Sequence, residues 1–139
     1  MAGLLHSKAG DNQALMTLSD TLKDDHKANQ AAVKALADQK NVKLESYKKS
    51  TTEYDKLSNL SGSGFNSAFF RAAIKDHRQA LSEFERAKDG ENDRDVTVYI
   101  DQTIPVLQAH LKMAENLRRD SAGGSSENPT NNRAENSKR

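Results

Sequence analysis

The chain has 139 residues, of which 35% are hydrophobic and 29% charged; with four Phe, three Tyr and no Trp, it can bury one thin, mainly aliphatic core. Its 21 basic and 20 acidic residues are interspersed and leave a net charge of +1, so neither sign forms a field that would steer nucleic acid or an acidic substrate. The lack of cysteine excludes disulfides, thiolate zinc sites, iron–sulfur clusters and cysteine nucleophiles, and no apolar run reaches the roughly 20 residues of a membrane-spanning helix.

The opening "MAGLLHSKAG" (1–10) has no basic region followed by a long apolar one, so as it stands it is not a signal peptide. Asp11 is placed to cap a first long helix over 11–39, in which Leu15, Leu18, Leu22, His26, Asn29, Val33 and Leu36 recur by threes and fours. "NVKLES" closes that helix and opens a shorter one near 45–60, with Tyr47, Tyr54, Leu57 and Leu60 on one side. "SGSGFN" (61–66) reads as a turn by its glycines and serines. A third helix follows over 67–88, with Phe70, Ile74, His77, Leu81 and Phe84 in register. After the break "DGEND" (89–93), a fourth helix covers 94–119 with Val96, Ile100, Leu107, Ala114 and Leu117 inward. Pro105 removes a backbone bond inside it, which predicts a kink near 101–105. "VTVYI" (96–100) is the one β-branched run, and it sits inside the helical pattern. From Ser121 the chain is Gly-, Ser-, Asn- and charge-rich without a large apolar residue, the composition of a disordered tail over 121–139. The prediction is all-α: an up-down bundle over 11–120 built of three long helices and one short one.

Three of the four histidines lie in the apolar stripes of three different helices. His77 is at the centre of its stripe, His26 stands beside Leu22, and His110 is at the margin of the Leu107 face. One such histidine is ordinarily a core or boundary residue bonded to a carbonyl or carboxylate. Three of them open another reading, a three-histidine set able to hold zinc, copper or iron, provided that all three come to the same height in the bundle. Asp25 and Asp76 precede His26 and His77 but point about 100° away on a helix, which makes them supporting or surface groups rather than co-ligands of their own neighbours.

Other chemistries find less support. Di-iron carboxylate bundles need Glu-x-x-His on two helices, whereas Lys23, Ile74 and Leu107 stand three residues before the histidines. The "GSG" at 62–64 has no preceding strand and reads as a turn, not a phosphate loop. There is no nucleophile elbow and no pair of buried carboxylates. Met1, Met16 and Met113 are scattered; Met113 lies one turn from His110, where core packing is the ordinary role.

The order "DDHKANQAAVKALADQKNVKL", then "YDKLSNLSGSGFNSAFFRAAIKDHRQALSEFERAKDGENDRDV", then "IPVLQAHLKMAENL" resembles a bacterial family with a ferritin-like bundle, the domain of unknown function forty-one forty-two. The resemblance spans about residues 5–118, and its most specific parts are Asp25-His26, "LSGSGF" (60–65), Asp76-His77 and the Pro105 to Leu111 stretch with His110. It implies a ferritin-like, outer-membrane or periplasmic protein of the cell envelope, and it does not imply an enzyme. Members of that family begin with a signal peptide and a full first helix carrying an inward Glu. Here "GLLHSKAG" resembles the end of such a helix, so residues 1–10 are expected to be its remnant, and a Phe-Asp pair of the family reads Phe65-Asn66. If this is the true start, the location would instead be cytoplasmic.

The sequence therefore leads to a non-enzymatic helical-bundle protein of the envelope with a binding or protective role, and in second place to a metal-binding bundle with His26, His77 and His110 as ligands. A shortened first helix would leave one apolar groove of the bundle uncovered, and a homodimer through that groove is the expected remedy.

Overall fold

The computed structural model describes residues 2–10, 12–45 and 51–123. They form five helices: α1 (Ala2–Lys8), α2 (Gln13–Gln39), α3 (Thr51–Ser58), α4 (Gly62–Gly90) and α5 (Arg94–Gly123), with no strand among the described residues. The all-α prediction holds, and "VTVYI" lies within the first two turns of α5. Burial of an amphipathic face overrides its β-branched propensity there.

α4 and α5 form an antiparallel hairpin, and α2 packs against α5 in the opposite direction. Ion pairs mark the register: Lys88 to Asp101 at 2.6 Å and Arg78 to Glu115 at 2.6 Å across the hairpin, and Lys40 to both Asp93 and Asp95 at 2.7 Å between the end of α2 and the start of α5. α1 lies against α2 and reaches α4, with the Ser19 hydroxyl donating to the Ala2 carbonyl at 2.7 Å.

The helix ends follow from local chemistry. Asn12 caps α2, its side chain accepting the Leu15 N–H at 3.1 Å; the cap expected of Asp11 lies outside the described residues. Asn41, at φ 56°, closes the same helix, with its own N–H on Asp38 and the Val42 N–H on Ala37, the paired bonds of a left-handed cap. Asp93 caps α5 by accepting the N–H groups of Asp95 and Val96.

Several boundaries differ from expectation, among them that of the short helix, which ends at Ser58 rather than 60 and leaves Glu45 outside it. The turn predicted at 61–66 is the first turn of α4, entered through Gly62 at φ +54°, because Phe65 is driven to complete burial at the base of the core. α4 continues to Gly90, so that only 91–93 separate it from α5. α5 runs through Pro105 and on to Gly123, three residues into the predicted tail; residues 124–139 lie outside the described residues. Tyr47 also lies outside them, and Leu60, expected inward, is exposed.

The core is polarised along the bundle. Leu4 and Leu5 of α1, Leu15, Leu18 and Leu22 of α2, Leu57 of α3, Phe65, Phe69, Phe70, Ala73 and Ile74 of α4, and Ala114 of α5 form one cluster at a single end. The groove expected to lie uncovered is thus partly filled: α1 seats Leu4 and Leu5 in it. Above α1, between α2 and α4, a cavity of about 680 Å³ remains, with Leu22, His26, Phe69 and His77 in its lining.

Candidate metal centre

The polarised core ends at a layer of three histidines. His77 comes from the middle of α4, one turn above Ala73, and is buried. His110 comes from α5, one turn from Ala114, and is almost inaccessible. His26 comes from α2, one turn above Leu22, and completes the layer. The antiparallel register set by the ion pairs brings all three to one height. The ring centroids are 6.0 Å apart for His26 and His77, 5.6 Å for His26 and His110, and 5.4 Å for His77 and His110.

One nitrogen from each ring falls within 4.8 Å of the others. Three imidazoles around one ion at about 2.0–2.1 Å would stand roughly 3.3 Å apart in a tetrahedral set. The His77 Nε2 to His110 Nδ1 distance is 3.3 Å, which already matches. His26 needs the larger adjustment, and it has room for one. Contrary to the inward placement expected of it, its side chain is exposed, because α2 and α4 diverge above α1 and leave the groove open beside it.

Hydrogen bonds at the outer edges of two rings determine which nitrogens carry protons. His77 Nδ1–H donates to the Ala73 carbonyl at 2.7 Å, and a carbonyl can only accept. His110 Nε2–H donates to the Asp25 carboxylate at 2.8 Å. In the neutral rings, His77 Nε2 and His110 Nδ1 are then both bare, and these are the two nitrogens that face each other. Asp25, one residue from His26 in sequence, thus serves the histidine of another helix. Burial is the main cause that holds the His77 pKa below the ordinary value; the Ala73 bond opposes it and the neighbouring His110 adds to it. His26 is lowered as well: its ring is open toward the groove but partly desolvated on the side that faces the layer, and His110 and His77 are next in weight.

Met113 does not join the layer; it packs against the apolar cluster. Asp76 lines the groove beside His77. On the other side of the layer a half-open cavity of about 400 Å³ lies between α2, α4 and α5, with Asp25, His26 and His110 in its lining. Its aromatic wall is Phe84 and Tyr99, with ring centroids 6.0 Å apart; the periodicity puts Phe84 inward but marks neither residue as the wall of a cavity. Both residues sit in ordinary inward positions, and nothing in the periodicity tells a cavity wall from a packed core.

Among known proteins, the family model described as Domain of unknown function (DUF4142) matches residues 2–117. No curated protein and no solved structure matches the chain.

Proposed function

We propose, for a chain that belongs to the family Domain of unknown function (DUF4142), that it is a metal-binding helical bundle holding one divalent transition-metal ion on His26, His77 and His110. The observation that carries this reading is the approach of two bare ring nitrogens to 3.3 Å, with their protons committed to Ala73 and Asp25 on the far sides. Two lone pairs at that distance repel. A cation between them turns the contact into an attraction, and outer partners of this kind are what metal-bound histidines ordinarily have. A proton shared between the two nitrogens, with its charge on His110 beside Asp25, is the competing occupant, and metal titration separates the two.

Three neutral imidazoles select zinc, copper or iron over magnesium and calcium, which prefer oxygen. We read the role as binding or protection rather than turnover: His110 and Asp25, the one carboxylate–imidazole pair of the layer, are committed in this reading to holding the ion. The envelope location rests on the resemblance alone.

The test is elemental analysis and metal titration of the purified chain without an affinity tag. About one equivalent of zinc or copper per chain is expected. His77→Ala should weaken binding by more than the roughly 10–100-fold that loss of an outer partner costs. Equal binding by the two proteins, or none by either, would overturn the proposal.

A further inference from the structure

The cavity of about 400 Å³ on the far side of the histidine layer is built unlike the rest of the bundle. His26 and His110, two of the three proposed ligands, line it together with Asp25. Its lining includes Phe84, Val106 and Leu107 together with the small Ala32 and Ala80, positions where larger side chains would have closed the space. The Tyr99 hydroxyl donates to Asn29 Oδ1 at 2.8 Å, so that this polar tip is satisfied and the ring presents its apolar body. A mainly apolar cleft with a few convergent polar groups is the usual form of a small-molecule site, and about 300–1,000 Å³ is the usual size. An apolar cavity of about 150 Å³ already accepts benzene.

We infer that this cavity seats a small amphipathic anion, with an apolar body of one or two rings among Phe84, Val106 and Leu107 and a single oxyanion head at the metal held by the histidines. The inference rests on the metal-binding reading and names the ligand class of that site. Three protein ligands leave a fourth position on a tetrahedral ion. The three imidazoles bring no negative charge, and the nearby Asp25 carboxylate is engaged by His110, so an anion complements the ion's charge. The apolar walls then add affinity in proportion to the carbon surface that they cover.

The test uses the full chain loaded with cobalt(II), whose visible spectrum reports a change of ligand, and two probes with the same head: acetohydroxamate and 2-naphthohydroxamate. Both should alter the spectrum, and the naphthyl probe should bind at least roughly tenfold more tightly because its rings leave water. Ala80→Phe, which fills the cavity, should bring the two probes to near-equal affinity while cobalt and acetohydroxamate binding stay unchanged. Val106→Asn, a neutral polar change at a position 38% exposed, should narrow the preference for the naphthyl probe as well. Equal affinity of the two probes for the unaltered chain, or a naphthyl preference that survives both substitutions, would overturn the inference while leaving the metal site standing. A cobalt spectrum that neither probe alters would do so too. Failure to load cobalt at all would overturn the metal reading and this one together, and is seen at the first step.

Discussion

At the scale of single residues, the hydrogen bonds from His77 to Ala73 and from His110 to Asp25 matter more than the identity of the rings, because they decide which nitrogens remain free. Asp25→Ala removes the group that keeps the His110 proton on its outer nitrogen, and metal affinity should fall by roughly 10–100-fold. Asp25→Asn, which can still accept that proton, should fall between the two, and isothermal titration at fixed pH would rank all three proteins. The pH dependence follows from the direction of two shifts. His26 and His77 are both held below the ordinary value of 6.5, so both are neutral above it in folded and unfolded chain alike. As pH falls through 6.5 toward the lowered folded values, the unfolded chain binds protons that the folded chain refuses, and stability drops. Metal affinity should stay level above that pH and fall below it, since protons then compete for the same nitrogens. Affinity that rose on acidification would contradict the assignment. Much of this was legible in the sequence: His77 at the centre of a stripe is a position that periodicity identifies. The service of Asp25 to His110 was not, because it depends on how far two antiparallel helices slide past each other.

At the scale of elements, α1 shows how a helix of seven residues holds its place. Isolated helices shorter than about 12–15 residues are marginal in water, so α1 depends on what it touches. Leu5 is fully buried against the apolar cluster, and the Lys8 ammonium donates to the Ser58 and Leu60 carbonyls at 2.8 and 2.7 Å, satisfying the end of α3. Leu5→Ala should cost about 2–5 kcal/mol, the range for buried leucines whose sites collapse only in part. Urea unfolding would measure it, and a cost below about 1 kcal/mol, the range of surface changes, would mean that α1 contributes little to the core. Helix interiors were readable from spacing, and their ends less so. The Gly-Ser run at 61–66 looks like a turn in every local respect, and only the demand of Phe65 for burial, a tertiary fact, makes it helix. Asn41 could be read as a terminator, but the two bonds that it sets up at the end of α2 are visible only in three dimensions.

At the scale of the whole molecule, the bundle has a packed end and an open end, and the histidine layer is the boundary between them. Phe65, Phe69, Phe70 and the leucines of α1 and α2 consolidate one side. On the other side the cavity occupies space that apolar side chains would otherwise fill, and exposed ion pairs such as Lys88 with Asp101 contribute little there. An ion on His26, His77 and His110 would tie α2, α4 and α5 together where packing is thinnest. Because the three ligands converge only in the folded chain, binding energy becomes folding energy. With free metal at about 100 times its dissociation constant, the gain is about 2.7 kcal/mol. For a domain of this size that raises the melting temperature by several degrees, at roughly 2–8 °C per kcal/mol. The rise should be absent in His77→Ala, and it should vanish when a chelator is added to the unaltered chain. Amide exchange adds the spatial part of the test. Protection should increase around Asn29, Tyr99 and Thr103, which border the cavity, and change little around Phe69 and Leu18, which the apolar cluster already holds. Uniform protection along the bundle would instead point to a general rigidification with no bond at this layer, and the boundary between the two ends would then lose its meaning.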